Sequence, residues 1–169
     1  DFVPDAEGHV RIAFGSADPD RWINITLAEG ADAPAPEDAA IADLNGDGYP
    51  DIVVACELAH LIYFQNPGPD ARTARWERVI PSVTLDRGSF IRVWTADFDG
   101  DGHEDIFMAQ NFFASQRETP RSDGGRGVLL RGNGKGDFVS MPGQNSGLKI
   151  YGEQRGSAVA DYNHDGRPD

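Results

Sequence analysis

Asp97, Asp99, Asp101 and Asp105 set four carboxylates within nine residues, with Gly100 and Gly102 between them. Such crowding is repulsive, by about 1 kcal/mol per pair even in a water-like dielectric, unless a cation sits among the charges. Oxygen donors at alternate positions 1, 3 and 5, with a glycine at position 6 for the sharp turn, suit a hard cation such as Ca²⁺. Position 7, His103, then contributes its backbone carbonyl, and position 9, Asp105, closes the shell. The pattern recurs as Asp43, Asn45, Asp47, Tyr49 (through its carbonyl) and Asp51, and again as Asp161, Asn163, Asp165, Arg167 (through its carbonyl) and Asp169. Three copies predict up to three Ca²⁺ ions, one per loop.

Other loops share part of this pattern. An EF-hand needs a bidentate Glu at position 12 between helices, but position 12 is Val54 in the first loop and Met108 in the second. A dockerin also wants an acid there and helical flanks. Thrombospondin-type repeats would bring many cysteines, and the chain has one. The remaining alternative, Asp/Gly turns that hold no ion, leaves the carboxylate repulsion uncompensated. A shell filled by protein oxygens and at most a water has no open position for Lewis-acid chemistry, so the ion's expected role is to pin a hairpin.

The acidity is local. The formal net charge is −13 over 169 residues, and without the ten aspartates of the three loops it is −3. No Lys/Arg run provides a footprint for nucleic acid or an anionic membrane. The single cysteine, Cys56, excludes an internal disulfide framework and a cysteine-based zinc site, and its place after an apolar run predicts a buried thiol. No apolar run approaches the ~20 residues of a membrane span. The chain begins at Asp1 without a signal-peptide pattern and stops at the ninth position of the third loop, which predicts a piece of a longer chain. Calcium loops of modest charge fill where free Ca²⁺ is near millimolar, so an extracellular, cell-surface or periplasmic home is expected.

The elements that carry these loops repeat. Arg21-Trp22 recurs as Arg75-Trp76 and Asp43 recurs as Asp97, both at a spacing of 54 residues, whereas Asp97 to Asp161 is 64. The surplus falls in the polar stretch 116–127. Apolar, β-branched runs bounded by Asp/Gly clusters predict strands: 39–42 and 52–55 around the first loop, 91–94 and 106–109 around the second. A third strand follows at 61–64 and 127–130, and a fourth starts at the tryptophan, over 22–25 and 76–80. Residues 10–14 match a third strand and belong to a preceding unit, and 30–38 and 81–89 are linkers. No helical apolar stripe is present. Four short antiparallel strands per repeat describe a β-propeller blade, buried only against its neighbours. The expected fold is all-β, a propeller fragment of about two and a half to three blades. Residues 1–20 are the remnant of one blade, with repeats at 21–74, 75–137 and 138–169.

The loops DLNGDGYPD, DFDGDGHED and DYNHDGRPD resemble the FG-GAP/VCBS repeat family, the propeller class that includes the integrin α head. Gly156-Ser157-Ala158-Val159-Ala160-Asp161 resembles that family's lead-in. The exits at Val54-Ala55-Cys56 and Met108-Ala109-Gln110 depart from its Gly-Ala-Pro and favour the bacterial VCBS branch, and residues 151–169 resemble the ASPIC/UnbV members. The resemblance implies a calcium-binding propeller. Its activity is left open, because the fold hosts adhesion, lectin-like and enzymatic functions.

No nucleophile elbow, zinc-protease helix or phosphate loop is present. Of the four histidines, His103 and His164 fall at loop positions that point to solvent, His9 has no partner in a motif, and His60 ends a Glu-x-x-His in a strand connection. These features favour a binding or assembly scaffold for protein or glycan in a secreted or surface bacterial protein. A carbohydrate-active enzyme, a lyase or dehydratase on the same ring, is the alternative. Trp22 and Trp76, locked to the repeat, are expected to pack between blades. Open blade edges predict a protein partner or self-association.

Overall fold

The computed structural model describes residues 8–56, 60–85, 90–110, 127–148, 154, 156–166 and 168. Among these there is no α-helix. Ten strands run in chain order: β1 (His9–Phe14), β2 (Ile23–Glu29), β3 (Pro36–Ala42), β4 (Asp51–Cys56), β5 (Leu61–Gln65), β6 (Glu77–Val79), β7 (Arg92–Ala96), β8 (Asp105–Ala109), β9 (Val128–Gly132) and β10 (Phe138–Met141). They form a two-stranded sheet β1-β2 and two four-stranded sheets, β3-β4-β5-β6 and β7-β8-β9-β10. Every pairing is antiparallel.

Strand alternation explains how the sheets stack. Successive side chains of a strand face opposite ways, and the central strands β4 and β5 are apolar at almost every position, as strands buried on both faces must be. Val53 and Ala55 of β4 and Leu61 and Tyr63 of β5 join Val93, Ile106, Met108, Val128 and Leu130 of the next sheet in one core. Their neighbours Ile52, Val54, Cys56, Ile62 and Phe64 face the other way, into a second core with Val10, Ala28 and Trp76. One sheet thus serves two interfaces. Cys56 is fully buried, and burial pushes its thiol up to about 11, so it stays protonated at neutral pH.

Polar contacts fix the stacking. The Val93 N–H donates to Asp38 Oδ2 at 3.2 Å, and the Gly136 N–H donates to the Leu44 carbonyl at 3.1 Å. Tyr63 meets Phe138 edge to face, with centroids 6.0 Å apart. At Gly46 (φ +72°) an added Cβ would lie 2.9 Å from the Gly134 carbonyl oxygen. The first acidic loop therefore abuts the β9–β10 turn of the next sheet, and only glycine permits that approach.

Two sequence expectations differ from the structure. The linker expected over 30–38 ends early, because β3 begins at Pro36. Trp76 is buried between sheets, but Trp22 is 48% exposed. The two share a different role: each precedes the outermost strand of its sheet and donates its indole N–H to a backbone carbonyl of the preceding turn, Ala71 at 2.9 Å and Ser16 at 3.1 Å. Trp22 lies on the two-stranded sheet, where no described sheet covers its ring.

Candidate metal centre

Each acidic loop connects the first and second strands of a sheet or lies at the matching place in sequence. The first residue organises the turn through its two oxygens. Asp43 Oδ1 accepts from the Gly46 and Asp47 N–H groups at 2.8 and 3.1 Å, and Oδ2 from the Gly48 N–H at 2.8 Å. Asp97 does the same with Gly100, Asp101 and Gly102 at 2.7, 3.1 and 2.9 Å. Asp161 accepts from Asp165 and Gly166 at 3.0 and 2.9 Å. Position 3 accepts from the position 5 N–H in all three loops, through Asn45, Asp99 and Asn163. Position 5 accepts from position 7 in the first two, Asp47 from Tyr49 and Asp101 from His103. These Asx turns curl the chain around its own carboxylates.

Position 9 behaves differently. Asp51 and Asp105 begin β4 and β8 and are fully buried. Asp51 Oδ2 accepts from the Leu44 N–H at 3.1 Å and from the Tyr63 hydroxyl at 2.8 Å, while Oδ1 accepts from the Asn66 N–H at 2.8 Å. Asp105 repeats the backbone part, from Phe98 at 3.0 Å and Gly132 at 2.9 Å. Position 9 thus ties the loop's second residue to the end of the third strand. Burial pushes both carboxyls above the usual aspartate value, against the lowering effect of those hydrogen bonds. Glu104 is raised as well, first by burial and then by Asp97, Asp105 and Asp43.

In the second loop Asp97, Asp99 and Asp105 each place an oxygen within 4.8 Å of the other two. An all-carboxylate donor set gathered at that spacing fits a hard divalent cation rather than a soft one. Asp101 is engaged elsewhere: its Oδ2 accepts from Arg131 Nη2 at 3.2 Å, and Arg131 Nε pairs with Asp99 Oδ2. In the first loop Asp43, Asn45, Asp47 and Tyr49 share one turn with Asp51 beneath it. In the third, Asp161, Asn163 and Asp165 share a turn, while Arg167 and Asp169 lie outside the described residues. His103 and His164 are exposed. His60 Nε2 is buried without a hydrogen-bond partner, and burial lowers its pKa; Glu57 lies outside the described residues.

The residues that spacing alone did not reveal are Tyr63 and Arg131. Both come from the third strand of a sheet and reach the loop only through strand register. The fold and these loops define a class: a propeller-like stack of four-stranded antiparallel blades, each with an acidic, oxygen-lined loop between its first two strands. The chain belongs to the FG-GAP-like repeat family, which matches residues 43–108 and 97–169. Those matches begin at the first aspartate of the first and second loops. No curated protein matches the chain. No helix among the described residues is long and apolar enough to cross a membrane.

Proposed function

We propose that this FG-GAP-like scaffold binds Ca²⁺ in its acidic loops and serves as a binding or assembly module of a secreted or cell-surface bacterial protein. The carrying observation is the convergence of Asp97, Asp99 and Asp105 oxygens within 4.8 Å in a loop whose backbone already wraps its carboxylates. Bound Ca²⁺ supplies charge neutralisation at that cluster. The chain's own residues hold the ligand oxygens in place, and buried Asp51 and Asp105 hold each loop to its sheet.

Calorimetric titration of the full chain with Ca²⁺ tests this. With free Ca²⁺ about tenfold above the dissociation constant, each site adds about 1.4 kcal/mol, so chelation lowers the melting temperature by several degrees. Binding requires ionised carboxylates, and those of Asp51 and Asp105 are held above their usual pKa. Acidification toward those values therefore shrinks the calcium increment. No heat, and no change in melting temperature with chelator, would rule the reading out.

The partner is proposed to be a protein, a glycan or a second copy, docking at sheet edges and the outer faces of the stack. The motivating observation is exposed apolar surface, Ile23 and Trp22 on β2 and its preceding turn and Val139 on β10, the last 70% exposed. Light scattering is expected to report a species larger than a monomer at micromolar concentration; a single monomeric species would refute self-association.

A further inference from the structure

The acidic loops are not electrostatically alike, and the difference is compensated from outside the loop. Position 3 is Asn45 in the first loop and Asn163 in the third, but Asp99 in the second. The second loop thus carries four aspartates, Asp97, Asp99, Asp101 and Asp105, where the first carries three, and Glu104 adds a further carboxylate where the first has Pro50. Beside it stands Arg131 of β9. Its Nε pairs with Asp99 Oδ2, and its Nη2 lies 3.2 Å from Asp101 Oδ2. The register of the two sheets identifies its counterpart. Ile106 pairs with Leu130 and Ile52 with Phe64, so Arg131 occupies the place of Gln65 in the preceding sheet. The extra carboxylate of the loop and the extra cation of β9 occur together, in one ion pair.

We propose that Arg131 is a built-in counterion that sets the cation affinity of the second loop, offsetting the charge that Asp99 adds relative to Asn45 of the first. The inference rests on the loops binding Ca²⁺. Arg131 engages Asp99 Oδ2 and Asp101 Oδ2, the oxygens opposite those that accept the Asp101 and His103 backbone N–H groups. Its guanidinium neutralises the loop when no divalent ion is bound and opposes a divalent ion when one arrives. A unit charge acting on a divalent ion at roughly 6 Å through a water-like dielectric changes affinity about tenfold, and salt weakens the effect.

The test is calcium titration of the full chain, followed by melting in calcium and in chelator, for the unaltered protein, Arg131→Gln and Arg131→Gln/Asp99→Asn. The Arg131 side chain is 47% exposed, so its replacement by the Gln65-like residue leaves the core intact. Arg131→Gln is expected to tighten one of the calcium dissociation constants about tenfold at low salt and less at ~0.5 M salt. It lowers the melting temperature in chelator but not in saturating calcium. Adding Asp99→Asn returns that constant toward its original value. A surface ion pair with only a structural role would shift melting equally in both conditions and leave every constant unchanged, and that result would overturn the proposal. Absence of calcium heat in the unaltered protein would instead overturn the reading of the loops themselves.

Discussion

Asp51→Ala is expected to destabilise the protein by about 3–6 kcal/mol even in chelator, because it strips the partner from three groups at once. The Leu44 N–H, the Asn66 N–H and the Tyr63 hydroxyl all point at this one carboxylate, which is fully buried. Leaving a buried donor unsatisfied costs about 1–3 kcal/mol each. Asp47→Ala is the contrast. Asp47 is exposed and accepts only from within its loop, from the Tyr49 N–H and the Asn45 amide. In chelator its loss is expected to cost less than about 1 kcal/mol, while under the proposed calcium binding it also abolishes the stabilisation that calcium adds through this loop. Urea denaturation of both variants with and without calcium separates the two roles. Equal losses in chelator would show that position 9 is merely one more ligand, not the post that fixes the loop to its sheet.

Tyr63→Ala carries the second large effect, about 3–5 kcal/mol. The ring is fully buried in the core between the two four-stranded sheets and packs on Phe138 of the next sheet, so truncation opens a cavity at the interface. Tyr63→Phe keeps the ring and removes only the hydroxyl that serves Asp51, at about 1–2 kcal/mol. Denaturant midpoints measure both. If the two variants lose the same amount, the hydroxyl rather than the ring holds the interface. If Tyr63→Phe loses nothing, Asp51 is sufficiently held by the two backbone donors.

Much of this was legible without coordinates. The apolar, β-branched run at 52–55 after an Asp/Gly cluster and the apolar run at 61–64 before a Pro/Gly turn mark strands, and their near-unbroken hydrophobicity marks burial on both faces. The Asp/Gly loops announce themselves because Asx turns are local: Asp43 and Asp97 bond to N–H groups three to five residues on. The fourth strand of the second sheet was harder to see. β10 has no Arg-Trp marker; register places Phe138, opposite Gly132, where Trp76 stands in the preceding sheet. The connection before it is also short, spanning only 133–137. Trp22 misled for a related reason, since a tryptophan that clamps its own turn looks in sequence like one that packs between blades.

The order of residues along the chain determined whatever depends on near neighbours: the strands, the turns, the acidic loops and the repeat that joins them. Tertiary structure decided which carboxylates become structural and which stay at the surface. Asp51 and Asp47 are indistinguishable as letters in a nine-residue pattern. One is swallowed by the start of β4 and receives donors from residues 7, 12 and 15 positions away, while the other stays in solvent. It also decided the charge of the second loop, because Arg131 is brought to Asp101 from 30 residues away by the pairing of β8 with β9. The physical reason is the same in both cases. Burial and charge compensation are set by what packs alongside, and strand pairing places side by side residues that no local spacing connects.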